Sequence, residues 1–204
     1  MILLACALED ELAFWEPRDG VELLVTGIGP VEAAAALAAA LARKTYRLVV
    51  NAGIAGAFDG SARIGDGVIV AEETMELALE SGATLMLPHG IELVDRASSD
   101  PGLVAQLNAK GFKALRGVTV SRVTATETTA RRLAELGAQI ETMEGFAVLR
   151  AAQRAGIRAI ELRGISNRCG DRDASEWNFA AGVAGLQSIV RALFELPPVL
   201  AGMQ

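Results

Sequence analysis

Residues 21–53 read VELLVTGIGPVEAAAALAAALARKTYRLVVNAG, and this stretch decides how the chain is to be folded. VELLVTG (21–27) and RLVVNAG (47–53) are short apolar runs without strict polar alternation, the pattern of strands covered on both faces. PVEAAAALAAALARK (30–44) between them reads as a helix, with Pro30 in its first turn. The same alternation continues outward. ILLACAL (2–8), DGVIVAE (66–72), ALRGVTV (114–120) and IRAIELRGI (157–165) are further strand-like runs. GLVAQLNAKG (102–111), TTARRLAELG (128–137), EGFAVLRAAQRAG (144–156) and EWNFAAGVAGLQSIVRALFEL (176–196) are helical, punctuated by Pro101 at a start and by Gly111, Gly137 and Gly156 at ends. Strands alternating with helices predict an α/β fold around a central, mixed, largely parallel sheet. No repeat period is visible, so residues 1–204 are expected to form one domain, with PPVLAGMQ (197–204) as a frayed end.

Composition narrows the function. Of 204 residues 51% are hydrophobic, enough for a sizeable core, and the net charge of -6 with no Lys/Arg cluster longer than two argues against nucleic acid as a partner. The first apolar run carries no preceding basic residue and breaks at Glu9, far short of the roughly 20 residues of a membrane span, so a soluble cytoplasmic protein is expected. Two cysteines, Cys6 and Cys169, make no disulfide framework, and with one histidine no zinc motif can be assembled; neither metal nor cofactor is expected.

In such folds ligands bind beyond the carboxyl ends of the strands. The segments found there are Glu9, Asp10 and Glu11, then Gly27 to Gly29, then Asn51 to Phe58, and lastly Ser166 and Asn167, while TMEGF (142–146) ends a short strand-like piece and opens a helix. The GIG element has two readings. It can carry pyrophosphate on backbone N–H groups, or it can simply seat an Ala-rich helix; Pro30, which lacks a donor, and the absence of a third glycine favour the second. The carboxylates also have two readings. Glu9 to Glu11 and Glu144 each suit the positive end of a helix, yet with Asn167 they deliver two carboxylates and a carboxamide to one rim from three distant segments.

ALEDEL (7–12), TGIGPVEAA (26–34), NAGIAGAF (51–58), TMEGFAV (142–148) and RGISNRCGD (163–171) resemble, in order and over nearly the whole chain, the successive motifs of the nucleoside phosphorylase/hydrolase superfamily. The resemblance implies a three-layer nucleoside phosphorylase-like fold and an N-glycosidase. The early acidic motif is similar to that of the hydrolases, the 5′-methylthioadenosine/S-adenosylhomocysteine nucleosidases and the futalosine hydrolases. By that resemblance Glu11 is the base for the attacking water, Met143 packs on purine and ribose, and Glu144 holds ribose hydroxyls. Main chain around Ile54, Ala55 and Gly56, and around Val123 and Thr124, lines the water and purine sites, with Thr142 beside them. Adenine-specific nucleosidases carry Asp where this chain has Asn167. An amide offers both a donor and an acceptor, which matches O6 and a protonated N7 of hypoxanthine, with Ser166 as an orienting hydroxyl. SerAsn followed by CGDRD is similar to the futalosine hydrolases of the alternative menaquinone pathway, so release of hypoxanthine from futalosine is the expected activity. An adenine nucleosidase, a 6-oxopurine phosphorylase and a non-catalytic nucleoside sensor remain open at this point. Phe58, Phe146, Arg122 and His89 are candidates for the 5′ substituent, Asp171 and Asp173 read as helix caps, and a homodimer or larger homo-oligomer is implied by the family.

Overall fold

The computed structural model describes residues 1–77, 87–89, 91, 93–171 and 177–200. Its strands are β1 (Ile2–Cys6), β2 (Val21–Val25), β3 (Leu48–Ala57), β4 (Gly67–Met75), β5 (Arg96–Ser98), β6 (Lys113–Thr119), β7 (Ile140–Thr142) and β8 (Ala159–Arg168). The helices are α1 (Pro30–Arg43), α2 (Pro101–Ala109), α3 (Glu127–Glu135), α4 (Gly145–Arg154), α5 (Phe179–Phe194) and α6 (Pro197–Leu200). Every apolar run picked out in the sequence contains a strand. The three-residue β5 escaped because RAS is too short and too polar to carry a pattern.

All eight strands share one mixed sheet. β1 pairs in parallel with β2 and β3, β3 with β8, β4 with β6 and β6 with β7, while β3–β7, β4–β5 and β4–β8 are antiparallel. These pairings form a ring, from β3 through β8, β4, β6 and β7 back to β3, so the upper half of the sheet closes into a small barrel. Its interior holds Ala55, Ala57, Val68, Val70, Leu115, Ile140 and Ile165. Below the barrel, alternate residues of one strand feed two separate cores. Ile2, Leu4 and Cys6 face α2 and α5, whereas Leu3 faces α1 and α4. That burial on both faces is why the runs lack polar alternation.

Two expectations change at the C-terminal end. Helix α5 begins at Phe179, not at 176, because the Asn178 side chain caps it by accepting from Ala181 N. Residues 197–200 are helical, not frayed: Val199 is buried in the core and its carbonyl accepts from Arg47 Nη2 at 2.5 Å. Asp173 and residues 201–204 lie outside the described residues. Among the described residues no helix is long and apolar enough to cross a membrane. Cys6 and Cys169 are free and buried, and burial first, then the charges of Glu11 and Glu9, push the Cys6 thiol up to about 12. It packs as a small hydrophobe.

Candidate active site

One edge of β3 changes partner. β1 accompanies it as far as Asn51 and β7 takes over at Gly56. Across the gap, Ile54 N donates to a side chain, Oε1 of Glu11, at 2.9 Å. Glu11 arrives from the 3₁₀ turn Glu9–Leu12, and its Oε2 accepts from Ala7 N and Leu8 N at 3.0 Å each. The helix-cap reading of the acidic trio therefore holds for the bond to Leu8, whereas the bond to Ile54 places the same carboxylate at the sheet's switch point. Glu9 and Asp10 stay exposed while Glu11 is buried. Burial raises the Glu11 carboxyl above the usual carboxylate range; Arg163 and the N–H groups of Ile54 and Leu8 oppose the rise, and Glu144 adds to it.

Glu144 occupies the N-cap position of α4, yet its side chain makes no capping bond. Oε1 instead accepts from Gly29 N at 2.9 Å, and Oε2 lies 3.9 Å from Arg163 Nη1. The glycine loop thus gives an N–H to a carboxylate of the chain itself. The other reading of GIG, the seating of a helix, is what is seen, with Ala33 and Leu37 of α1 buried against α4.

Arg163 joins the two acidic groups, and the sequence reading passed over it. It is 1% exposed, donates from Nε to Glu161 Oε1 at 2.8 Å and from Nη1 to the Ile54 carbonyl at 3.4 Å. Its pKa is raised: burial works against the charge, but Glu161, Glu144 and Glu11 outweigh it. Glu161 in turn sits beside Glu73, since a Cβ on Gly145 would come within 2.6 Å of Glu161 Oε1 and 2.5 Å of the Glu73 carboxyl. Burial, then the charge of Glu161, pushes Glu73 well above the carboxylate range, against the hydroxyl donors Thr119 (2.8 Å) and Thr142 (2.9 Å). Glu73 is thereby biased toward its neutral form, while Arg163 faces both Glu161 and Glu144. Gly53 is required where this network meets β3, because a Cβ there would collide with the Arg163 guanidinium and lie 2.8 Å from Glu11 Oε1.

The end assigned to the base lies on β8. Ser166 Oγ donates to Asn167 Oδ1 at 2.9 Å and lies 3.3 Å from the Ala55 carbonyl, while Asn167 Nδ2 donates to the Arg168 carbonyl at 3.1 Å. Each half of the amide keeps one further bonding position. Gly56 is flanked by this amide: a Cβ there would be 2.9 Å from Asn167 Nδ2. Met143 is half-buried between β7 and Glu144. The Thr142 hydroxyl points into the barrel to Glu73, so only its main chain is available to a ligand. Val123 is exposed, and Thr124 N donates to Glu141 Oε1 at 3.0 Å. The candidates for the 5′ substituent scatter. Phe58 is buried with Val118, Leu133 and Cys169 in the core under α3, Phe146 packs among α1 and α4, and Arg122 and His89 are exposed. Asp171 caps no described helix; its N–H lies 3.4 Å from Glu127 Oε1. Among the described residues no cluster of His, Cys, Asp or Glu is arranged to hold a metal.

A family model described as the phosphorylase superfamily matches residues 17–195. The futalosine hydrolase of Thermus thermophilus is 37% identical over 185 residues, 85% of this chain and 81% of that protein. The futalosine hydrolase of Acidothermus cellulolyticus is 40% identical over 183 residues, 84% and 74% of the two chains. Among solved structures, the futalosine hydrolase of Helicobacter pylori superposes with a TM-score of 0.81 at 14% identity, covering 95% of this chain and 97% of that one, a likeness of fold. The chain belongs to the phosphorylase superfamily and, within it, to the futalosine hydrolase family.

Proposed function

We propose that the chain hydrolyses the N-glycosidic bond of futalosine, releasing hypoxanthine and dehypoxanthine futalosine in menaquinone biosynthesis, as a single cytoplasmic domain. The observation that carries the reading is the placement of the Glu11 carboxylate at the open edge of β3, next to Arg163 and Glu144. Cleavage builds positive charge on the ribosyl ring and negative charge on the departing purine, so the two ends need opposite help. Glu11 takes a proton from water as its oxygen bonds C1′ and the C1′–N9 bond breaks. Glu144 grips the 2′ and 3′ hydroxyls. Asn167 stabilises the leaving base through O6 and N7–H; an amide cannot supply a proton, so the one at N7 comes from water or another acid. A carboxylate at Glu11 repels phosphate, which favours hydrolysis over phosphorolysis.

The test is base release from futalosine, inosine, adenosine and methylthioadenosine, without and then with phosphate. Phosphate-independent hypoxanthine release, strongest from futalosine, is expected. Adenine release, a phosphate requirement, or binding without turnover would each replace the reading with a nucleosidase of adenine, a phosphorylase or a sensor. Asn167→Asp is expected to lower 6-oxopurine cleavage on the order of 10- to 100-fold, because an ionised Asp cannot donate to O6. An unchanged rate would remove Asn167 from base recognition.

A homodimer or larger homo-oligomer is part of the same proposal. Val31, Ala34, Ala35, Ala38 and Ala151 line an apolar groove between α1 and α4, and Ile28 and Val31 are 54% and 76% exposed beside Gly29, the donor to Glu144. A second copy on this face would cover apolar surface next to the site; sedimentation of the purified chain tests it.

A further inference from the structure

Under the start of α4, three buried side chains from three strands form a closed ring. Thr119 of β6 and Thr142 of β7 stand directly opposite each other, with their hydroxyl oxygens 3.3 Å apart. Both reach Glu73 of β4, Thr119 at 2.8 Å from Oε2 and Thr142 at 2.9 Å from Oε1. The Glu73 carboxyl is fully buried and is seated between two glycines: a Cβ on Gly117 would collide with Oε1, and one on Gly145 would lie 2.5 Å from it. The same two hydroxyls accept from the first turn of α4, Thr119 from Phe146 N at 2.7 Å and Thr142 from Gly145 N at 3.4 Å. Phe146 is the second residue of that helix, whose N–H an N-cap side chain ordinarily takes. Here Thr119 takes it, and the carboxylate of Glu144 at the N-cap turns instead to Gly29 N and Arg163.

Three oxygen–oxygen contacts close the ring, but the two hydroxyls carry only two hydrogens. With Glu73 ionised, both hydroxyls point at the carboxylate and two lone pairs meet across the 3.3 Å contact. With Glu73 as a neutral acid, Oε2–H donates to Thr119, Thr119 to Thr142 and Thr142 to Oε1, so every contact holds one hydrogen. The surroundings favour the neutral form. From β8, Glu161 repels a charge at Glu73, and Arg163, which would attract one, is already paired with Glu161 at 2.8 Å. β5 sets Ala97 opposite Glu73, and α4 presents the N–H groups of Gly145 and Phe146.

We propose that Glu73 is a positioning residue that acts as a neutral carboxylic acid: its proton completes the ring with Thr119 and Thr142, which caps α4 and leaves the Glu144 carboxylate to the ribose hydroxyls. The ribose contact rests on the nucleoside hydrolase reading; the ring itself does not. Thermal unfolding of the wild type and Glu73→Gln across pH tests the proton. A carboxyl that is neutral in the fold and ionised in the unfolded chain adds stability at low pH, which is lost as pH rises through the folded pKa. The Tm of the wild type should therefore fall relative to that of Glu73→Gln as pH is raised above the ordinary carboxylate range. The opposite slope, or none, means an ionised Glu73 and overturns the proposal. Positioning is read from kcat/KM for futalosine against its 2′-deoxy analogue. That ratio should fall about 10-fold in Glu73→Val, which breaks the ring, and stay within about 3-fold of the wild type in Glu73→Gln, whose amide supplies both a donor and an acceptor. An equal loss in both variants would assign the role to charge, and an unchanged ratio in Glu73→Val would make the ring structural only; either result overturns the proposal. Should the variants not fold, infrared spectroscopy of the wild type at neutral pH decides: a protonated-carboxyl band that shifts in D2O is expected, and its absence overturns the proposal. Failure of the wild type to cleave futalosine at all would count against the proposed function, while the Tm slope and the infrared band would still judge Glu73.

Discussion

Glu11→Gln is expected to lower kcat by roughly 10²- to 10⁴-fold with little change in KM, the range associated with loss of a positioned general base. The substitution is less innocuous than its shape implies. Three backbone N–H groups, those of Ala7, Leu8 and Ile54, point at the two carboxylate oxygens. An amide has one oxygen, so in either orientation its NH2 faces a donor, and about 1–3 kcal/mol of stability should be lost as well. The pH profile separates the two effects. Burial raises the Glu11 pKa, and the protonated acid cannot take a proton from water, so wild-type kcat should fall with a one-proton acid limb centred above the usual carboxylate range. The sign for stability is opposite. A folded-state pKa above the unfolded one means the folded chain binds the proton more tightly, so this contribution is present at low pH and lost as pH rises through the folded pKa. Activity therefore grows over the window in which Glu11 becomes a burden on the fold, the exchange expected of a buried base. A pH titration of kcat and of thermal unfolding checks both slopes; turnover that survives Glu11→Gln would move the base elsewhere.

The strands and helices were legible because burial on both faces writes continuous apolar runs, and prolines and glycines mark the helix ends. Closure of the sheet into a barrel was not legible. It depends on β3 being long enough to serve β1 with its first half and β7 with its second, a fact about pairing with no signature in either segment. Glu11, Glu144 and Asn167 could be picked out as candidates because they stand at the ends of predicted elements. Arg163, Glu161 and Glu73 were passed over because they lie within strands, where the apolar neighbours dominate the pattern. One signal was available: Glu161 and Arg163 are charges of opposite sign two residues apart in an otherwise buried run, and that spacing puts both on one face. A pair of that kind, with no water to reach it, has to be part of an internal network.

Arg163→Met should be the most damaging single change to the fold. The guanidinium is 1% exposed and sits between Glu161, at 2.8 Å, and Glu144, at 3.9 Å. A methionine fills much of the volume but removes the one cation that, among the described residues, faces these carboxylates, and breaking a buried pair in this way costs about 3–5 kcal/mol, because the remaining charge is left uncompensated. For a domain of this size that corresponds to a fall in Tm on the order of 10 °C. The loss should itself depend on pH. Without Arg163, Glu161 keeps the burial that raises its pKa and loses the charge and hydrogen bond that lower it. The folded variant then binds a proton that the unfolded chain does not, and its stability should recover as pH is lowered and fall as pH rises through the displaced pKa. Arg163→Lys keeps the charge but cannot span Glu161, the Ile54 carbonyl and Glu144 with one planar fork, so it should restore more stability than turnover. Thermal unfolding of both variants across pH, read beside kcat, separates the two roles: equal recovery of fold and activity in Arg163→Lys would mean that charge alone matters at this position. A difference would mean that the fork orients Glu144 and the main chain at Ile54, where Glu11 is bound.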